Sequence, residues 1–261
     1  MRAVLVTGAS SGIGKEFARQ FAYRGYNLIL VARREELLKE LKDEFEQEYN
    51  VEVDYYACDL SKNPKEVYDY CKSKNHNVSV LINNAGYGDY GSFIDSDLDK
   101  ILGMIDLNNK ALVSLTYYFV HDMKTSGYGH IINTGSVASF MPGPYMAVYY
   151  ATKAFVMSFS MALREELRKD NIAVSVLCPA PTKSPFWDRA NGETAAVYDN
   201  ALARTAVDAA KTGYEMFEYN KPYAIDGTAY KVLIGIARHL PLELCARAVG
   251  FIQSKTKKKA N

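Results

Sequence analysis

Seven short apolar runs punctuate the chain, at residues 2–6, 28–32, 51–57, 78–82, 130–134, 172–178 and 223–225. Most of them are continuously hydrophobic rather than alternating, the pattern of strands buried on both faces. Between and after them lie segments with apolar residues at helical spacing, at 13–24, 34–48, 64–74, 97–123, 148–169 and 195–211. In 148–169, for example, Phe155, Val156, Phe159 and Leu163 form one stripe. Strands alternating with helices predict a parallel sheet with helices packed on both sides. The last part, 228–253, reads as two helices broken at Pro241. The stretch 181–213 is the least regular, and long insertions of this kind often act as lids over a site.

The expected fold is therefore a single α/β domain over residues 1–261: a three-layer, doubly wound, Rossmann-type parallel sheet of about seven strands. Ligands of such sheets sit beyond the carboxyl ends of the strands. A chain of 261 residues that is 48% hydrophobic can bury a large core, which excludes general disorder. A net charge of +1 favours neither nucleic acid nor membrane. No apolar run approaches the roughly 20 residues of a membrane span. The N-terminus enters a strand at once, so no signal peptide is expected. Cys58, Cys71, Cys178 and Cys245 show neither metal nor disulfide spacing. No metal site is expected, and a reducing cytoplasm is the expected location. The basic tail 255–259 is expected to be solvated.

The strongest chemical signal follows the first apolar run: Thr7-Gly8-Ala9-Ser10-Ser11-Gly12-Ile13-Gly14. Glycines let a backbone turn tightly and approach a ligand, and the helix that begins near Ile13 offers unpaired N–H groups to a pyrophosphate. Four further polar stretches fall at strand ends: Asp59-Leu60, Asn83-Asn84-Ala85-Gly86, Asn133-Thr134-Gly135-Ser136 and Pro179-Ala180-Pro181-Thr182. Tyr149 and Lys153 project from one helix face a turn apart, so that an ammonium can favour a phenolate. The same spacing recurs at Tyr68/Lys72 and Tyr70/Lys74, but without a serine placed beside it.

Together these residues, in this order, resemble the short-chain dehydrogenase/reductase family in its compact single-domain branch, over roughly residues 2–184. The resemblance implies hydride transfer between a nicotinamide cofactor and a carbonyl or secondary alcohol. It implies Tyr149 as general acid or base, Lys153 as the residue that lowers the Tyr149 pKa, Ser136 as donor to the substrate oxygen, and Asn108 as holder of a relay water. Ser139 and Asn109 stand as neighbouring alternatives to Ser136 and Asn108. The cofactor residues implied are Gly8, Ser10, Ser11, Gly12, Ile13 and Gly14, then Asp59, Leu60, Asn84, Ala85 and Gly86. Tyr149, Lys153, Pro179, Thr182 and Ser184 complete them. Ala180 and Ser184 depart from the usual Gly and Thr. A homodimer or homotetramer is also implied.

The second strand ends in Ala32-Arg33-Arg34, with no carboxylate for a ribose 2′-hydroxyl. Two arginines at a helix start suit the 2′-phosphate of NADP(H), which is the expected cofactor. Tyr87, Tyr90, Phe140, Met141, Met146 and the substrate candidates Tyr145, Phe186 and Trp187 predict an aromatic, Met-rich pocket for a large apolar ketone or alcohol, such as a hydroxysteroid. A 3-oxoacyl thioester is the alternative substrate. A non-catalytic NADP-binding sensor or scaffold is the rival of another class, and the epimerase branch requires a longer chain.

Overall fold

The computed structural model describes residues 1–183, 186, 190 and 203–257, without the side chains of 255–257. The apolar runs become strands β1 (Arg2–Thr7), β2 (Asn27–Ala32), β3 (Val53–Ala57), β4 (Asn77–Asn83), β5 (Gly129–Thr134) and β6 (Ile172–Cys178). Two short strands, β7 (Thr182–Lys183) and β8 (Arg204–Thr205), pair with each other across the irregular insertion, and β9 (Tyr223–Ile225) completes the set. The main sheet has the order β3-β2-β1-β4-β5-β6-β9, with every neighbouring pair parallel. The order reverses between β1 and β4, where a doubly wound sheet opens its crevice.

The unbroken hydrophobicity of the strands has a direct packing reason. Successive side chains of β1 point to opposite layers, and both layers are dry. Val4 and Val6 pack with Phe17 and Phe21 of α1 (Gly12–Ala22), Leu38 and Phe45 of α2 (Glu35–Tyr49) and Tyr214 of a later helix. Ala3 and Leu5 pack with Val67 and Cys71 of α3 (Lys65–Ser73) and with Leu115 and Phe119 on the other face. All four cysteines are buried free thiols.

The segment expected as one helix over 97–123 has three parts: α4 (Leu98–Ile105), a π-helical turn (Asp106–Ala111) and α5 (Leu112–Ser126). Helix α6 (Ala147–Glu166) carries Tyr149 and Lys153. The helix expected over 195–211 starts as α7 (Ala206–Glu218), with 195–202 outside the described residues. Its start is set by a capping box in which Thr205 and Asp208 hydrogen-bond reciprocally. Helices α8 (Thr228–Ala237) and α9 (Leu242–Lys257) flank Pro241 as expected.

Candidate active site

The glycine-rich turn needs its glycines for two different reasons. Gly8 and Gly12 have φ of +65° and +58°, the left-handed region that side chains disfavour. Gly14 is in ordinary helix, but a Cβ there would lie 2.3 Å from the Gly8 carbonyl oxygen and 2.5 Å from Asn84 Nδ2. The turn is fastened from below. Thr7 Oγ1 donates to Ile82 O and accepts from the N–H groups of Asn84 (2.9 Å) and Ala85 (3.0 Å), while Asn84 Nδ2 donates to Thr7 O at 3.0 Å. Ser11 opens α1 without a side-chain cap, and no acidic residue occupies the first turn. The helix end is therefore available to an anion.

The two arginines complete that end. Arg34 Nη2 donates to Ser10 Oγ and Ser11 Oγ, each at 3.0 Å, which lays a guanidinium along the turn. Burial favours a raised Asp59 pKa, but hydrogen bonds from Ser61, with the charge of Arg33 nearby, hold its carboxyl below the usual range. Neither Arg33 nor Arg34 has a carboxylate within 4 Å among the described residues. A cradle of free N–H groups and an unpaired cationic rim fits a dinucleotide with an extra phosphate.

A cleft of about 250 Å³ runs along the strand ends. Gly8, Ser10, Ser11, Gly12 and Ile13 form one end, followed by Ala32, Arg33, Arg34, Asp59 and Leu60. Asn84, Ala85 and Gly86 form its floor, and Ser136, Tyr149, Lys153, Pro179, Thr182 and Phe186 its far end. Gly14 stands behind the turn rather than on the cleft wall. Ser184 and Trp187 lie outside the described residues. Tyr145 does not line the cleft. With φ +66° at that residue, its ring sits 6.4 Å from that of Tyr90 and borders a separate cavity of about 30 Å³.

Ser136 and Ser139 hold one another: Ser136 Oγ accepts from Ala138 N at 3.1 Å, and Ser139 Oγ accepts from Ser136 N at 3.2 Å. Of the two, Ser136 lines the cleft. Lys153 is 6% exposed, and its Nζ donates to Thr134 O at 2.8 Å, 5.8 Å from the centre of the Tyr149 ring. Burial pushes the ammonium down to about 8. Burial likewise raises the Tyr149 phenol well above its ordinary value, opposed by a hydrogen bond from Ser136. Desolvation dominates the phenol, and the ammonium is turned to a main-chain carbonyl.

Asn108 lies in the π-helical turn and does not border the cleft. Its Nδ2 donates to Tyr87 O (3.0 Å) and Thr152 Oγ1 (3.1 Å), and its Oδ1 accepts from Tyr87 N (3.1 Å). Asn109 Nδ2 donates to Thr152 O at 3.0 Å. Gly86 makes room for this: a Cβ there would lie 2.9 Å from Asn108 Oδ1 and 3.7 Å from Lys153 Nζ. Two residues of the site escape sequence reading. Thr152, 4% exposed, donates to Tyr149 O at 2.7 Å and so links Asn108 to the tyrosine's turn. Gln253, from α9, lines the cleft, donates to Tyr150 OH at 3.0 Å and accepts on its main-chain oxygen from Tyr90 OH at 2.7 Å. For Gln253, a polar residue at a buried position of α9 is the signal the sequence offered.

Comparison with known proteins agrees with this geometry. The family profile described as short chain dehydrogenase matches residues 2–195. A very-long-chain 3-oxoacyl-CoA reductase of Laccaria bicolor is 39% identical over 177 residues, covering 66% of this chain and 52% of that one. The chain spans about half the length of the fungal relatives it matches. A short-chain dehydrogenase from Sphingobium yanoikuyae in complex with NADPH superposes with a TM-score of 0.79 at 31% identity, over 90% of this chain and 93% of that one. A bulky-bulky ketone specific alcohol dehydrogenase from Comamonas testosteroni superposes with a TM-score of 0.77 at 30% identity, over 91% and 92%. With its sheet order, its glycine-rich turn and its paired Tyr149 and Lys153, the chain belongs to the short chain dehydrogenase family.

Proposed function

We propose that this protein is an NADP(H)-dependent oxidoreductase that interconverts a ketone and a secondary alcohol, with long-chain 3-oxoacyl thioesters as its substrate class. The observation that carries the reading is the meeting of Ser136, Tyr149 and Lys153 in one cleft with the uncapped start of α1 and the Arg33/Arg34 rim. The 2′-phosphate of the cofactor would lie against Arg33, Arg34, Ser10 and Ser11, and its pyrophosphate against the glycine-rich turn. The bound cofactor supplies the hydride.

The chain's residues do the rest. Ser136 donates to the carbonyl oxygen and stabilises charge as it forms there. Tyr149, raised by burial, keeps its proton at neutral pH and can deliver it to the nascent alkoxide. Lys153 fixes the end of β5 through Thr134 and places a positive charge behind the phenol. Asn108 and Thr152 act as positioning residues for that turn of α6.

Substrate choice rests on the relatives and the lining. The hydroxysteroid expectation yields to the 3-oxoacyl thioester, because the sequence relatives are reductases of that class. Tyr87, Tyr90, Met146 and Phe186 suit an acyl chain. The four free thiols support a reducing, cytoplasmic location. Exposed Leu98, Leu102 and Ile105 on α4 support a homo-oligomer. The test is NADPH consumption with 3-oxoacyl-CoAs of increasing chain length and with ketosteroids, in wild type and Tyr149→Phe. Turnover of the thioesters that vanishes in the variant, with NADPH binding kept, is expected. Tight NADPH binding without turnover of any ketone would favour the sensor; turnover of ketosteroids alone would restore the first substrate expectation.

A further inference from the structure

The last two helices carry apolar residues on the face away from the core. Helix α8 buries Ile234, yet Val232, Leu233 and Ile236 on its opposite face are 60%, 55% and 59% exposed. Helix α9 buries Cys245 and Gln253, while Leu244 and Ile252 on its outer side are 50% and 57% exposed. Leu240 and Leu242, on either side of Pro241, are 46% and 68% exposed. Large side chains grouped in this way on a protein surface mark a contact site.

Charge identifies the occupant. Residues 228–261 contain seven Lys and Arg (Lys231, Arg238, Arg247, Lys255, Lys257, Lys258 and Lys259) against one acid, Glu243. This end of the chain is therefore +6 and residues 1–227 are −5, a polarity hidden in the total of +1. Lys231 and Arg247 stand exposed beside the apolar faces, with no carboxylate within 4 Å among the described residues. Among those residues no helix is long and apolar enough to cross a membrane. The geometry points to an anionic lipid bilayer surface as the partner: α8 and α9 lie in its plane, apolar faces down, with Lys231 and Arg247 at headgroup level. A second copy of the chain fits less well, because a two-fold contact through this face would set one basic surface against another.

The proposal stands on this surface and not on the reaction. It gains one consequence if the acyl substrate class holds: Gln253, which lines the cleft, is next in the chain to the exposed Ile252, so the cleft lies close to the bilayer side.

The experiment is co-sedimentation of the full chain with phosphatidylcholine vesicles and with vesicles that also contain phosphatidylglycerol. Binding to the anionic vesicles alone, weakened by salt, is expected. Lys231→Glu and Arg247→Glu should each weaken it about fivefold or more, and Leu233→Glu with Ile236→Glu should abolish it. NADPH affinity in these variants stays at the wild-type value and reports that they fold. No sedimentation with anionic vesicles overturns the proposal, as does equal binding to both vesicle types. A lipid-free dimer that Ile236→Glu dissociates assigns the face to a second copy instead.

Discussion

Replacing Lys153 with Met should stabilise the protein near neutral pH while abolishing its reaction. The ammonium is buried, and its pKa falls from 10.5 to about 8. That difference, at about 1.4 kcal/mol per unit, corresponds to about 3 kcal/mol lost by holding the charge in the folded state. The variant also loses the hydrogen bond to Thr134 O, worth about 1 kcal/mol. The net gain is about 2 kcal/mol. The pH dependence follows from the direction of the shift. The folded protein binds this proton more weakly than the unfolded chain does, so the penalty is complete below about 8 and fades as pH rises toward 10.5. Wild type should therefore gain stability on the variant across that window. Urea unfolding of both proteins at neutral and at alkaline pH measures the gap. A variant less stable than wild type at neutral pH, or a gap that ignores pH, would refute the argument that burial sets the lysine's energetics.

Gly14→Ala should cost about 1–3 kcal/mol by overpacking against the Gly8 carbonyl, and should weaken NADPH binding; thermal unfolding and fluorescence titration that both match wild type would contradict this. Arg33→Ala and Arg34→Ala should weaken NADPH binding about tenfold or more, a charge-assisted contact being worth about 1.5–3 kcal/mol, with NADH binding little changed. Equal losses for both cofactors would remove the 2′-phosphate reading. Phe21→Ala, at a fully buried ring 5.1–5.2 Å from those of Tyr26, Tyr214 and Phe217, should cost about 3–5 kcal/mol in urea unfolding; a cost under 1 kcal/mol would show that the layer repacks.

Strands were legible because both sheet faces are dry: every side chain of a run such as Val4-Leu5-Val6 must be apolar, and nothing further is needed to find it. The glycine-rich turn and the Tyr149/Lys153 pair were legible because each is a local motif on a single element. The π-helical turn was not, since widening one turn barely disturbs an apolar stripe that runs from Ile101 through Phe119. Gln253 reaches the cleft only through the packing of α9 against residues more than 100 positions earlier, a distance no motif spans. Tyr145 looked like a wall residue until its left-handed backbone turned the ring aside. The size of the burial effect on Tyr149 was out of reach for a related reason. Sequence shows which charge is a turn away, whereas burial belongs to the whole fold.

The buried thiols make the protein its own opening gauge. Burial pushes Cys58 up to about 11 and Cys71 and Cys178 to about 12, so almost no thiolate exists near neutral pH and alkylating reagents must wait for the structure around each sulfur to part. The four sites are well distributed: Cys58 beyond the end of β3, Cys71 on the buried side of α3, Cys178 at the tip of β6 near Lys153, and Cys245 on the buried side of α9. Timed alkylation followed by mass spectrometry would read the order in which these layers loosen, with no probe added. Shielding of Cys178 by a bound cofactor, with Cys71 unaffected, would separate a local tightening of the cleft from a change in the whole sheet.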